Sequence, residues 1–298
     1  MNQLNGHETV MARGRSSWSR TLRASSSRSR SRVGPSGTRW VVDRPSSRRH
    51  PSASWSSETS RSVSQYDAAH AGDGAPDRSD VGAVVLTGAG DAFCAGVNLK
   101  GYRLDDREAL RAGFREVAMW WHQMLHRIVR IRKPVLSAVN GVAVGGGLGM
   151  VLASDIAVCN ENATFFASWM ANGVANDGGS SYTLAKIVGF RRAMELMLTN
   201  RTLTAKEAVE WQICNRMYKN EEFSGNVAKI ARELAYGPTH LQAYVKETFH
   251  EGWRRSLDVC TEYECQNILA SLDHPYAAER LAEFKRGQRT NPLMIDLM

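Results

Sequence analysis

From Val81 onward the chain alternates between short β-branched runs and longer stretches of helical spacing. Val81–Thr87 (VGAVVLT) is an unbroken apolar run ending at Gly88-Ala89-Gly90, which predicts a buried strand closed by a turn. Leu110, Phe114, Val117, Met124, Leu125, Ile128 and Ile131 recur at helical spacing and predict a long helix over 105–132, stopped by Pro134. Val135–Val139 reads as a second buried strand. It leads through Asn140-Gly141 and Gly145-Gly146-Gly147 into an apolar helix reaching Ala153, and Ile156–Cys159 reads as a third strand. Helices are predicted over 189–198, 204–211, 222–236, 239–251 and 257–272, with a last one from Pro275. Thr204 and Glu207 have the spacing of a capping box. Strands alternating with helices and followed by a helical tail from about residue 205 define an α/β domain with helices added.

Residues 1–78 have a different texture. Runs such as Ser25 to Arg32 (SSSRSRSR) carry almost no hydrophobic periodicity, and residues 1–62 hold twelve arginines against three acids. The composition predicts disorder, or a reading frame shifted in GC-rich DNA. The expected division is therefore an atypical segment, 1–78, and a catalytic domain, 79–298. The net charge of +8 belongs to the first segment and is not a nucleic-acid footprint of the whole chain. A composition that is 43% apolar supports a substantial core. No run approaches the roughly 18–20 apolar residues of a membrane span, and the Met1 end lacks the apolar region of a secretory signal. The expected location is cytoplasmic, with neither membrane nor nucleic acid as partner. Five cysteines without a CxxC point to reduced, mostly buried thiols, and no His/Cys spacing predicts a metal site.

Four segments could carry chemistry. Gly145-Gly146-Gly147, between a strand and a helix, lets backbone approach a ligand closely and offers unpaired N–H groups at a positive helix end; tight strand–helix packing explains it equally. Phe93-Cys94-Ala95-Gly96-Val97 could project a second N–H, and two such donors form an oxyanion hole; otherwise it is an ordinary loop. Asp177, in the Gly-rich stretch from Trp169 to Gly179, is either a turn residue or helix N-cap, or a carboxylate held as base or nucleophile. His122 and His126 share a helix face behind Trp120-Trp121. They read as packing or a wet helix end, or as a base beside a ring-lined pocket.

Together these residues resemble the crotonase (enoyl-CoA hydratase/isomerase) superfamily over 79–298. The resemblance rests on the order of Phe93-Cys-Ala-Gly96, Lys133-Pro134-Val135, Asn140-Gly141, the triple glycine and Ala153-Ser154-Asp155. It implies a ββα spiral core with a C-terminal helical oligomerisation region. It also implies an acyl-CoA or aryl-CoA thioester as substrate, no cofactor beyond the CoA of that substrate, and a homotrimer or dimer of trimers. The two glutamates of a hydratase fall here on Gly149 and Trp169, so alkene hydration is not expected.

Trp120-Trp121-His122-Gln123-Met124, Asn176-Asp177, Arg192 to Leu203, Pro238 to Gln242 and Ala270 to Pro275 resemble the dehalogenases that act on 4-chlorobenzoyl-CoA. That resemblance implies Asp177 as nucleophile on the chlorinated ring carbon. The N–H groups of Val97 and Gly146 would hold the thioester oxygen, and His122 would activate the hydrolytic water. It further implies Trp169 donating its indole N–H to Asp177, Phe114 and Trp121 lining the ring pocket, and Lys100 and Arg289 near the CoA phosphates. Two departures accompany it. Val97 stands where an aromatic often encloses the ring, and of the family's first strands only Val33-Gly34-Pro35 and Val41-Val42-Asp43-Arg44-Pro45 are recognisable. The alternatives are an enoyl-CoA isomerase using Asp177 as base, or a non-catalytic acyl-CoA-binding protein on the same fold.

Overall fold

The computed structural model describes residues 32–33, 39–41, 81–98 and 102–287, all within one compact unit spanning 31–298. Other residues, including Lys100, Arg289 and most of the Ser/Arg-rich segment with its expected disorder or frameshift, lie outside the described residues.

Two sheets share the work. One has the order β1 (Arg32–Val33), β2 (Arg39–Val41), β3 (Val84–Thr87), β5 (Val135–Val139), β7 (Ile156–Asn160), β10 (Arg216–Tyr218). The other has the order β4 (Ala92–Cys94), β6 (Val142–Val144), β8 (Thr164–Phe166), β9 (Thr202–Thr204). The pairs β3–β5, β5–β7, β4–β6 and β6–β8 are all parallel. Each successive repeat therefore lays one strand in each sheet and then turns into a helix. The helices closing the repeats are α1 (Arg107–Arg130), α2 (Gly146–Ala153) and α3 (Ser180–Val188). This is the α/β spiral of ββα units that the resemblance implied. Two short stretches of the Ser/Arg-rich region continue the first sheet, β2 antiparallel to β3 and β1 antiparallel to β2.

Parallel strands need crossovers on their faces, so they are buried on both sides. Val84 and Leu86 enter one core cluster with Trp121, Met124 and Leu148, whereas Ala83 and Val85 point the other way. There they meet Phe223, Val227, Ile230 and Leu234 of α6 (Asn220–Tyr236). The α1 helix starts on Asp106, whose carboxylate accepts from Ala109 N at 3.0 Å, and buries the stripe Val117, Trp121, Met124, Leu125, Ile128.

After α3 come α4 (Phe190–Thr199) and α5 (Ala205–Glu210), the latter closed at its N-terminus by the Thr204–Glu207 capping box in both directions. The tail is α6, α7 (Thr239–Gly252), α8 (Leu257–Leu272) and α9 (Pro275–Lys285). A buried ammonium joins α7 to the spiral: Lys246 Nζ donates to Ile128 O (2.7 Å) and Lys133 O (3.2 Å) and pairs with Asp155 Oδ2 at 2.7 Å. Burial lowers the Lys246 pKa, against the opposing pull of Asp155. Asp155 Oδ2 also accepts from Val135 N at 2.7 Å, so this carboxylate fastens strand, helix end and tail together. No helix among the described residues is long and apolar enough to cross a membrane.

Candidate active site

The site forms where α2 begins. Gly145 precedes the helix with φ of 54° and ψ of −113°, a conformation that glycine adopts without strain. The N–H of Gly146, in the first helical turn, has no acceptor within the helix. A Cβ on Gly147 would lie 2.6 Å from Cys94 O, so α2 sits directly on β4. This contact sets Gly146 beside the Ala95–Val97 loop, and both border one cavity of about 370 Å³. Phe114, Trp169 and Asp177 also line it. Phe114 is braced by Tyr102, ring centroids 5.2 Å apart.

Asp177 reaches the cavity from a tight turn. Its backbone carbonyl accepts from Ser180 N (3.2 Å) and Ser180 Oγ (2.7 Å), and Gly178 and Gly179 follow with φ of 67° and 66°. The N-cap of α3 is Gly179, not Asp177. The carboxylate is thus not spent on capping. Asp177 Oδ1 instead meets His122 Nε2 at 2.5 Å, joining residues from α1 and from the turn before α3. Both side chains are partly exposed, so the pair is open to solvent.

Trp121 precedes His122 on α1. It is buried, and a Cβ on Gly146 would lie 2.4 Å from its Cζ2. The indole packs against the backbone of Gly146, and a Cβ on Gly178, next to Asp177, would lie 3.6 Å from its Nε1. Its Nε1 is buried without a hydrogen-bond partner. Trp169 does stand in the cavity wall, but among the hydrogen bonds of the described residues the Asp177 carboxylate takes His122 and not the Trp169 indole.

Sequence reasoning missed Ser168, which borders the cavity with φ of 56°. A non-glycine residue in that region is uncommon and strained, and no local pattern announces it. It also missed a second cavity of about 860 Å³, lined by His122, His126, Tyr182, Lys246, His250 and Trp253 among others. The His126 pKa is lowered by burial, Arg130 and His122, in that order. No described cluster of three His, Cys, Asp or Glu side chains is arranged to hold a metal ion.

Comparison with known proteins places these features in context. Residues 74–286 match the family described as Enoyl-CoA hydratase/isomerase. The chain is 50% identical over 218 residues to 4-chlorobenzoyl coenzyme A dehalogenase-1 of Arthrobacter sp, covering 73% of this chain and 79% of that protein. It is 29% identical over 204 residues to 1,2-epoxyphenylacetyl-CoA isomerase of Escherichia coli (strain K12), covering 68% of this chain and 75% of that one. Among solved structures, the enoyl-CoA hydratase of Polaromonas sp. JS666 aligns with a TM-score of 0.69 at 27% identity, over 75% of this chain and 87% of the other. That of Bacillus anthracis aligns with a TM-score of 0.70 at 24% identity, over 76% and 88%, and speaks to the fold alone.

Proposed function

The chain belongs to the enoyl-CoA hydratase/isomerase family, and on that footing we propose that it hydrolyses 4-chlorobenzoyl-CoA to 4-hydroxybenzoyl-CoA and chloride. The observation that carries this reading is the 2.5 Å contact of Asp177 with His122 at a cavity bordered on its other side by Val97 and Gly146. One carboxylate, one imidazole and two backbone donors are the groups that a two-step substitution through an aryl ester requires.

In the first step an Asp177 oxygen attacks the ring carbon bearing chlorine. Electron density moves through the ring to the thioester oxygen, where the N–H groups of Val97 and Gly146 and the positive end of α2 stabilise it. The carbon–chlorine bond then breaks, leaving the aryl ester and chloride. Esterification removes the carboxylate charge that held the His122 Nε2 proton. The imidazole, as the tautomer with Nε2 unprotonated, then takes a proton from water. Hydroxide attacks the ester carbonyl and regenerates the Asp177 carboxylate, and the phenolate leaves and is protonated. Phe114 and Trp121 wall the ring, Trp121 also packing against Gly146, and Trp169 closes the side of the cavity.

Gly149 supports this reading over hydration. A Cβ there would lie 2.6 Å from Gly178 O, so the turn that delivers Asp177 occupies the space that an acid at 149 needs. Several further assignments belong to the same proposal. Lys100 and Arg289 contact the CoA phosphates, and the change of composition at 78/79 separates an atypical segment, from which β1 and β2 join the first sheet, from the catalytic domain. The protein is cytoplasmic, and the chain assembles as a homotrimer or dimer of trimers through its last helices. Neither α8 nor α9 buries a residue, yet Leu257, Ile268, Leu269, Leu281 and Phe284 are all exposed on them, an apolar surface that a second copy would cover.

The test is to incubate the purified protein with 4-chlorobenzoyl-CoA and follow chloride and 4-hydroxybenzoyl-CoA, with Asp177→Asn in parallel. Turnover by the parent protein and its loss in the variant are expected. A folded protein that releases no chloride, or a variant that releases it undiminished, rejects the reading.

A further inference from the structure

Asp177 is the one described residue that lines both cavities. On one side lies the smaller cavity with Val97, Gly146, Phe114 and Trp169; on the other lies the larger one, which His122 borders and the smaller does not include. The nucleophile is therefore a partition, and the base stands on one side of it.

We infer that the larger cavity is the chamber that supplies the hydrolytic water, while the aryl thioester occupies the smaller one; this rests on the dehalogenase reading above. A thioester oxygen held at Val97 and Gly146 with its ring directed at Asp177 fills the smaller cavity, and water cannot pass the ring to reach the ester. The opposite face of the Asp177 carboxyl remains open to the larger chamber, where the water-activating imidazole is. The chamber wall mixes apolar residues such as Leu125, Val129 and Leu152 with polar side chains able to hold water, His122, His126 and His250 among them. Its charges are largely paired: Lys246 with Asp155 at 2.7 Å, Arg132 with Glu247 at 2.6 Å, and Arg254 with Glu251. His126 is shifted towards its neutral form by burial, Arg130 and His122, so it adds a polar wall more than a fixed cation. The step consumes one water per ester. Its oxygen becomes part of the Asp177 carboxylate, and its protons pass to His122 and to the departing phenolate.

Ser181, exposed in the first turn of α3, borders only the larger chamber and has no part in the chemistry above. Ser181→Cys, in a background with Cys260→Ser and Cys265→Ser, provides a thiol that benzyl methanethiosulfonate can block reversibly; Cys94, Cys159 and Cys214 are buried. Blocking after folding avoids confusing a plugged chamber with a misfolded protein. With 4-chlorobenzoyl-CoA, the labelled protein is expected to keep its kcat/KM while ester hydrolysis slows roughly tenfold or more, so that kcat and KM fall together. The aryl adduct then accumulates in the intact mass, and dithiothreitol restores the rate. Turnover at the unlabelled rate overturns the inference. So does a raised KM without an adduct, which would make the chamber the acyl site. If the unlabelled parent releases no chloride, the dehalogenase reading itself fails and takes this inference with it, a result separate from the other two.

Discussion

A Cβ on Gly149 would stand 2.6 Å from the carbonyl oxygen of Gly178, so the first turns of α2 and the turn carrying Asp177 touch backbone to backbone. This contact sets the distance between Gly146 and Asp177, the proposed oxyanion donor and the proposed nucleophile. Gly149→Ala must push the turn away, since the opposing atom is backbone and cannot rotate aside. Overpacking of this kind costs about 1–3 kcal/mol, read as a lowered urea midpoint. Displacing Asp177 by even an ångström lowers chloride release roughly a hundredfold. A Gly149→Ala protein with parental activity would show that the turn yields freely.

His122→Gln separates the two chemical steps. The glutamine leaves Asp177 free to attack but cannot accept the proton of water. One equivalent of chloride is released per site, hydrolysis slows by about 10²–10⁴, and mass spectrometry finds the aryl group on Asp177. Loss of the chloride burst, with no adduct, would place His122 in the first step instead.

Lys246→Met tests the anchor of α7. The substitution leaves the Asp155 carboxylate, whose side chain is 19% exposed, without its ammonium, a break that costs about 1–3 kcal/mol in the unfolding free energy. Adding Asp155→Asn removes the stranded charge and should recover part of the loss, a coupling that a double-mutant cycle measures. Strict additivity of the two changes would mean that the pair contributes little.

Glu207 controls an acid-sensitive joint. Hydrogen bonds from Thr204 N, then Arg201, lower its pKa from the ordinary 4.5 to about 2. Because folding lowers the pKa, the unfolded chain binds this proton more readily. The stabilisation is complete above pH 4.5 and is lost as pH falls towards 2. Glu207→Gln should flatten the acid side of the stability profile over that window and leave its slope near neutrality unchanged. An unaltered acid limb would show that the solvent-exposed part of the network carries no net stability.

Much of the fold was legible from local pattern. The apolar stripe of Val117, Met124, Leu125 and Ile128 announces α1 because a helix repeats its buried face over many turns. Thr204 and Glu207 announce α5 because a capping box is completed within four residues. The second sheet was not legible. Strands such as Ala92–Cys94 and Val142–Val144 are three residues long, too short to display a period of two.

The site divides in the same way. Residue type and spacing singled out Asp177, His122 and the stretches 93–97 and 145–147, while the roles of Val97, Gly146, Phe114 and Trp169 came from the resemblance to the dehalogenases. Sequence alone did not show that the Trp121 indole packs against the backbone of Gly146, since neighbouring residues on α1 point in different directions and only the surrounding core decides which one turns inward. Tertiary structure alone decided that Asp177 meets His122, 55 residues away, and that the carboxylate stands between two cavities. Those relations come from helices docked on stacked parallel strands, and contacts so distant along the chain leave no trace in the periodicity of either segment.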